Sequence, residues 1–270
     1  MTQFHLHLVS DATGETLNAI TKAVLVQFDE AEATEHLWAL MRNENQIEKV
    51  LNAVERSPGI VLFTLVDPAL RKVLEDGCRQ INVPCIPVLD PVMVALSSYL
   101  GAESRGRPGM QHVMDAEYFS RIEAMNFSMS HDDGQLTEQL EQADVVLVGV
   151  SRTSKTPTCI YLANRGIKAA NIPFVPQAEL PPVLFDLDDT LIVGLTASPD
   201  RLIQIRRNRL LSLNQVAETD YVDLDAVRAE VVEARRLFAK MGWPTIDVSR
   251  RSIEETAAAI ITLFQQRPEE

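Results

Sequence analysis

The sequence predicts an α/β protein in two parts: an N-terminal α/β domain with a parallel sheet over about residues 1–105, and a second α/β domain over 106–270. Three observations predict this. Short apolar strands alternate with stretches of helical periodicity, the pattern of parallel strands joined by helical crossovers. Two strands, GIVLFTLV (59–66) and ADVVLVGV (143–150), are near-continuous apolar runs, as strands buried on both faces should be. Residues 101–112, GAESRGRPGMQH, then break the pattern with three glycines and a proline in twelve residues, which reads as the connection between domains.

Taken in order, FHLHLVS (4–10) reads as a short strand. In GETLNAITKAVLVQF (14–28), Leu17, Ile20, Val24 and Phe28 share one face at helical spacing. HLWALM (36–41) is strand-like, and Asn45 to Val54 is helical until Pro58-Gly59 stops it. The run 59–66 leads into Asp67-Pro68, an N-cap acid followed by proline at the first helical position. PCIPVL (84–89) is another strand, and Asp90-Pro91 repeats the cap. Beyond the break come a helix at 114–127, a polar turn FSMSHDDGQ (127–135) and a helix at 136–142. After the strand 143–150 the pattern gives a helix at 156–165 and strands near 172–176 and 191–195. Helices at 199–215 and 223–240, the segment WPTIDVS (243–249) and a helix at 252–266 complete it.

Composition narrows the function classes. Apolar residues are 46% and charged residues 23%, an ordinary globular mix that excludes disorder, collagen-like repeats and coiled-coil rods. With 25 basic and 38 acidic residues the net charge is −13, which argues against nucleic-acid binding, since that needs a positive footprint. An anionic ligand therefore needs a local basic pocket. There is no run of about 18 apolar residues for a membrane span. MTQFHLHLVSDATGE reads as neither a secretory signal nor a transit peptide. Cys78, Cys85 and Cys159 form no CxxC pair, so a cytoplasmic location is expected.

The basic pocket is found in ADVVLVGVSRTSKTPTCIYLA. Gly149-Val150-Ser151-Arg152-Thr153-Ser154-Lys155-Thr156 follows a hydrophobic strand and opens a helix, the context of the phosphate loop G-x-x-x-x-G-K-[ST]. In such a loop backbone amides turn inward and the helix adds its positive end. Lys155 supplies a charge to a bridging phosphate, the Thr156 hydroxyl can hold Mg2+, and Arg152 adds a second cation. The departure is Ser154 at the second glycine, which costs backbone freedom if positive φ is needed there. The domain from 106 onward is thereby read as P-loop kinase-like.

Other constellations are weaker. In His131-Asp132-Asp133-Gly134, Asp132 or Asp133 can take a hydroxyl proton or sit beside Mg2+, and an Asp-Gly turn capping the next helix is the plainer alternative. Asp11-Ala12-Thr13-Gly14-Glu15-Thr16 is either a ligand turn at a strand's carboxyl end or a cap formed by Thr13. Arg206 and Arg209, three apart, can receive a substrate phosphate or form a solvated charged face. Asp186-Leu187-Asp188-Asp189-Thr190 matches the DxDxT signature of haloacid-dehalogenase-type phosphatases, yet no acidic metal motif follows within 84 residues, and a surface loop is favoured. His5 and His7 point to one face of a strand but have no partner at ligand spacing.

SDATGETL, HDDGQ, GVSRTSKTP, IPFVP, VGLT and IRRNRL, in that order, resemble the pyruvate, phosphate dikinase regulatory protein family, from Val9 to about Leu263. The resemblance implies a bifunctional enzyme. It would phosphorylate a threonine of the dikinase with ADP as donor, inactivating it, and remove that phosphate by phosphorolysis with inorganic phosphate, releasing pyrophosphate. The loop would bind ADP and phosphate, with Lys155, Arg152, Asp132 and Asp133 as catalytic candidates and Mg2+ on Thr156. A sister branch that regulates phosphoenolpyruvate synthase tends to carry SRCGKTP, so Thr153-Ser154 favours the dikinase. A non-catalytic nucleotide sensor is the alternative class. Partners are therefore expected to be the dikinase, with no nucleic acid or membrane, and a homodimer is left open.

Overall fold

The computed structural model describes residues 2–104, 106, 116–176, 178–212 and 220–267. The chain divides into two compact units, Met1–Val113 and Met114–Glu270. The first runs β1 (Thr2–Val9), α1 (Glu15–Leu25), β2 (Ala31–Trp38), α2 (Glu44–Arg56), β3 (Gly59–Phe63), α3 (Pro68–Gln80), β4 (Cys85–Pro87) and α4 (Asp90–Leu100). Its four strands are parallel in the order β2-β1-β3-β4. Alternation along each central strand sorts side chains between two layers. Leu6 and Leu8 pack with Leu17 of α1, while Val9, Val61 and Phe63 face α2 and α3 through Val50, Val54 and Leu74.

Caps set the helix starts. The Asn43 side chain accepts from the Gln46 amide, and Asp67 accepts from Ala69 and Leu70. Asp90 does not repeat that role. The N-cap of α4 is Leu89, and the Asp90 carboxylate instead pairs with Arg71. Strand β2 lies earlier than the sequence suggests. Residues 31–36 alternate small and polar side chains along a sheet edge, so only the apolar end HLW advertises the strand. Leu40, at φ 59°, turns the chain away after it.

The second unit runs α5 (Ala116–Ser130), β5 (Val145–Gly149), α6 (Lys155–Ala163), β6 (Ala169–Pro173), β7 (Leu191–Thr196), α7 (Pro199–Ser212), α8 (Leu224–Met241), β8 (Thr245–Asp247) and α9 (Ile253–Gln265). Its strands are also parallel, in the order β6-β5-β7-β8. All five residues of β5 are buried. Val146 and Val148 face α8, where Val231 and Phe238 pack, and Val145 and Leu147 face α6 and α9, where Leu162 and Ile260 pack. Truncating Leu147 to alanine should cost about 2–5 kcal/mol.

Three expectations shift here. The polar turn at 127–135 begins later, because FSMS forms the last turn of α5, with Ser128 and Ser130 donating to the carbonyls of Ala169 and Asn126. Residues 137–142 are a 3-10 turn following Leu136 at φ 47°, so no α-helix forms there. Strand β6 starts at Ala169, three residues before the expected strand, because its small residues are weak strand formers chosen by the space beside β5. The C-terminal part of the helix expected at 199–215, from 213 on, lies outside the described residues. Among the described residues no helix is long and apolar enough to cross a membrane.

Candidate phosphate site

In both sheets the chain adds its second strand on one side of the first and its third on the other. The crevice at the carboxyl ends of strands at such a reversal is where open α/β sheets bind ligands. In the second unit the turn at that place is the loop 149–156, between β5 and α6.

The loop's backbone has the alternation of an anion nest: Arg152 lies at φ 72° and Ser154 at φ 60°, both left-handed. Ser154 is thus in the conformation a glycine would adopt, and it is the N-cap of α6 without a side-chain cap bond. The first glycine is fixed by packing. A Cβ on Gly149 would stand 2.6 Å from the Leu195 carbonyl oxygen and 2.8 Å from Thr153 Oγ1. Thr153, fully buried, donates to the Val150 carbonyl (2.9 Å) and locks the turn. The amides of Arg152, Thr153 and Ser154 donate to no backbone carbonyl among the described residues.

Lys155 is buried, with Nζ donating to the carbonyls of Gly149 (2.8 Å) and Val150 (3.2 Å). Burial pulls its ammonium down to about 8, against the opposing pull of Asp133, Glu230 and Asp132 among others. An ammonium desolvated in this way gains strongly from an anion. Cys159, behind it on α6, is buried, and burial pushes its thiol upward, so it is a packing residue.

The acidic turn is brought against the loop. Thr156 Oγ1 donates to Asp132 Oδ1 at 2.8 Å. Asn171 of β6 also donates to Asp132 Oδ1, and its Oδ1 receives the Asp133 amide at 3.2 Å. Asp133 sits at φ 50° with its side chain exposed. His131 anchors the turn from below. Its buried ring stacks on Phe127 (3.8 Å between centroids), its Nδ1 bonds the Phe127 carbonyl, and its own carbonyl accepts from the Asn171 amide. Asp132 and Asp133 thus serve a 3-10 turn, Asp132–Gly134, that delivers one carboxylate to the loop's threonine and leaves the other in solvent.

Arg206 and Arg209 part company despite their spacing. Arg209 is exposed, whereas Arg206 is 1% exposed and belongs to neither of the arrangements its sequence suggests. Its guanidinium pairs twice with Glu230 (2.8 and 3.0 Å), donates to the carbonyls of Ser151 (3.1 Å) and Tyr221 (3.2 Å), and lies 4.7 Å from the Tyr221 ring centre. The Tyr221 hydroxyl meets Ser151 Oγ (3.2 Å) and accepts from Arg152 Nε (3.3 Å).

The remaining candidates lie elsewhere. Asp186–Asp189 precede β7, at the amino end of the sheet, and Arg267 of the C-terminal region donates to the carbonyls of Asp188 and Asp189. A nucleophile at that end would face away from the ligand crevice, which removes the phosphatase reading. In the first unit, Asp11 Oδ2 accepts from the Val66 amide (2.8 Å), and burial raises its carboxyl above the ordinary aspartate range. The cap of α1 is Gly14 at φ 82°, so Thr13 does not hold the cap position. His5 and His7 meet His36 of β2: His5 Nδ1 and His36 Nε2 are 3.0 Å apart, and the rings of His7 and His36 stack at 4.6 Å. Among the described residues no group of three or more His, Cys, Asp or Glu could hold a metal ion.

Three residues at the site went unnoticed in the sequence: Asn171, Tyr221 and Glu230. Asn171 carried a usable signal, since a lone amide within AANIP in a buried strand needs partners. Tyr221 and Glu230 arrive from about 70 residues beyond the loop and carried none.

A family model described as kinase/pyrophosphorylase matches residues 6–261. Similar proteins include one of Caulobacter vibrioides, 59% identical over 97% of this chain and 84% of its own. One of Sphingopyxis alaskensis is 56% identical over 99% of each chain, and one of Rhizobium meliloti 57% identical over 96% of each. Their names designate them, provisionally, as pyruvate, phosphate dikinase regulatory proteins. With a match that runs through almost all of both units, the loop 149–156 included, and relatives more than half identical over most of their lengths, the chain belongs to the kinase/pyrophosphorylase family.

Proposed function

We propose that the protein regulates pyruvate, phosphate dikinase by reversible phosphorylation of a threonine, using ADP in one direction and inorganic phosphate in the other, as a cytoplasmic enzyme. The observation that carries the reading is the joining of Lys155, Thr156 and Asp132 on one nest of backbone amides. A single diphosphate-sized cradle serves both half-reactions. In the first, the threonine oxygen attacks the β-phosphorus of ADP, the bond from that phosphorus to the bridging oxygen breaks, and AMP leaves. In the second, an oxygen of phosphate attacks the phosphothreonine phosphorus, and the threonine oxygen departs, taking up a proton, as pyrophosphate forms. Both are in-line displacements, for which positioning and charge neutralisation supply most of the catalysis.

Roles divide by environment. Lys155 and Arg152 neutralise the diphosphate, and the amides of the loop and of the α6 N-terminus hold its oxygens. Asp132 and Thr156 offer two hard oxygens 2.8 Å apart, a donor set that would hold Mg2+, and the ion would supply charge neutralisation there. Asp132 Oδ1 accepts from both Thr156 and Asn171, which ties that carboxylate to the loop's threonine. Asp133, exposed and held on the same turn, takes the threonine proton and returns it in the reverse direction.

The test is incubation with purified dikinase and ADP, followed by mass spectrometry of the dikinase. The expected result is one phosphothreonine and an equivalent of AMP, reversed by phosphate with release of pyrophosphate. Modification of phosphoenolpyruvate synthase in a parallel incubation, and not of the dikinase, would move the protein to the sister branch. ADP binding without transfer to either target would leave a nucleotide sensor.

A further inference from the structure

We infer that Arg206 and Tyr221 are positioning residues of the phosphate loop, acting through the Ser151–Arg152 peptide and the Arg152 side chain and not on the phosphate itself; this rests on the phosphate-loop reading above.

The geometry excludes direct contact as the role of Arg206. A guanidinium has four hydrogens on its two terminal nitrogens. Here Nη1 and Nη2 make four bonds: two to Glu230, one to the Tyr221 carbonyl and one to the Ser151 carbonyl. None is left for a ligand, and Nε is itself buried without a partner. Glu230 also cancels the charge, so Arg206 adds little attraction for an anion. Its remaining effect on the loop is directional. The peptide is planar and trans, so its carbonyl and its amide hydrogen point to opposite sides. Holding the Ser151 oxygen against Arg206 therefore turns the Arg152 amide away from α7, toward the concave side of the nest. Arg152 is left-handed at φ 72°, a conformation costing about 1–2 kcal/mol for a non-glycine residue, and it needs such a constraint to persist.

Tyr221 completes the arrangement. Its ring lies over the Arg206 guanidinium, and its hydroxyl meets Ser151 Oγ and the Arg152 Nε. One tyrosine thus ties the buried Arg206 to the exposed Arg152 side chain. With Nε engaged, the two terminal nitrogens of Arg152 stay free for a phosphate.

The test uses the full-length chain and calorimetric titration with ADP. Tyr221→Phe keeps the ring over Arg206 and removes only the hydroxyl. It should weaken ADP binding about tenfold, the scale of a hydrogen bond to a charged group, with an unshifted thermal midpoint. In an Arg152→Ala background the same change should cost less than about twofold, because the charged partner is gone and only the contact with Ser151 Oγ remains. The brace is tested by the double variant Arg206→Met/Glu230→Met. Exchanging a buried ion pair for apolar side chains of similar volume is often neutral for stability, so a purely structural role would survive it. A positioning role would not, and ADP affinity should again fall about tenfold or more. A folded double variant and a folded Tyr221→Phe that both bind ADP like wild type would overturn the inference. If Tyr221→Phe weakened binding equally with and without Arg152, its action through that residue would be refuted. Failure of the wild-type protein to bind ADP or inorganic phosphate at all would instead sink the phosphate-loop reading.

Discussion

In each unit the first strand is central, the second pairs on one side of it and the third on the other, and the turn after the first strand leads into a helix with a left-handed N-cap: Gly14 at φ 82° in one, Ser154 at φ 60° in the other. Neither cap residue makes a side-chain cap bond. The backbone plan is shared, and the chemistry laid on it is opposite. After β1 the turn carries a buried carboxylate, Asp11, which accepts from the amide of Val66, three residues beyond the neighbouring strand. After β5 the turn carries Arg152 and Lys155. Burial raises the Asp11 carboxyl and lowers the Lys155 ammonium, so each site penalises its own charge. Only the cationic one is relieved by an anion. The first unit supplies its anion from its own chain, and on the function proposed above the second leaves that part to a ligand. The topology provides the place, and the sign of one side chain decides its use.

The strongest attempt to break this contrast is Lys155→Ala. It should lower both phosphorylation and phosphorolysis by about 10³-fold or more, since one cradle serves both. The check is both rates on the same preparation, with circular dichroism for folding. Retention of either rate near wild type would mean that a second phosphate site exists, with the turn after β1 the first place to look.

The acidic turn comes next. Asp133→Asn should lower both rates about 10²–10⁴-fold at unchanged ADP affinity, because a general base acts on the hydroxyl proton and barely on bound nucleotide. Asp132→Asn should weaken magnesium-dependent ADP binding together with the rates. Calorimetry beside both rates separates the two, and the reverse pattern would exchange the roles.

How far the sequence could be read differs between the units for physical reasons. The loop 149–156 was legible to the residue, because its amides, its cation and its hydroxyl must lie at fixed spacing between a strand and a helix. Even the cost of Ser154 was legible, and its φ of 60° bears it out. The strand 145–149 was legible because burial on both faces leaves no polar residue in it, and 59–63 because its partly covered residues, Gly59, Ile60 and Leu62, are as apolar as its buried ones. Edges were not: β2 and β6 were misplaced by several residues, since half-covered or small side chains give little periodicity. In the sequence Arg206 looks exposed or ligand-facing, because its partner Glu230 lies 24 residues on, at a distance that only the packing of α7 on α8 explains.

A gentler probe is pH. Above about pH 7 a terminal phosphate is mostly dianionic, its second ionisation lying near 6, so its own titration is nearly complete. Lys155 in the free protein loses its proton through about pH 8, and an anion raises that value again on binding. ADP affinity should therefore fall as pH rises from about 8 toward 10, by up to about tenfold per unit, with proton uptake on binding. Lys155→Arg keeps a permanent charge and should flatten the slope. A wild-type affinity that is level across this range would show that Lys155 stays protonated before the ligand arrives. The linkage to stability runs the opposite way with pH. The folded value is depressed below the ordinary 10.5, so the Lys155 contribution is fully present above about pH 10.5 and is lost as pH falls through about 8.

The smallest expected effect concerns the two N-caps. Ser154→Gly would give the second unit the residue that the first already uses at Gly14. Two effects oppose each other. Relief of the left-handed backbone favours glycine by about 1–2 kcal/mol. The extra freedom of glycine in the unfolded chain costs about 0.5–1 kcal/mol. The Ser154 side chain makes no cap bond that would be lost, so no third contribution enters. The net should be a stabilisation of about 0–1.5 kcal/mol, read by denaturant titration of the second unit's transition. ADP affinity should change by less than about threefold, because the amides at 152–156 keep their direction. A loss of more than about 1 kcal/mol would mean that the serine hydroxyl has work in the fold that the geometry does not give it. A large fall in ADP affinity at unchanged stability would instead make that hydroxyl a ligand to phosphate, and the resemblance between Gly14 and Ser154 would end at the backbone.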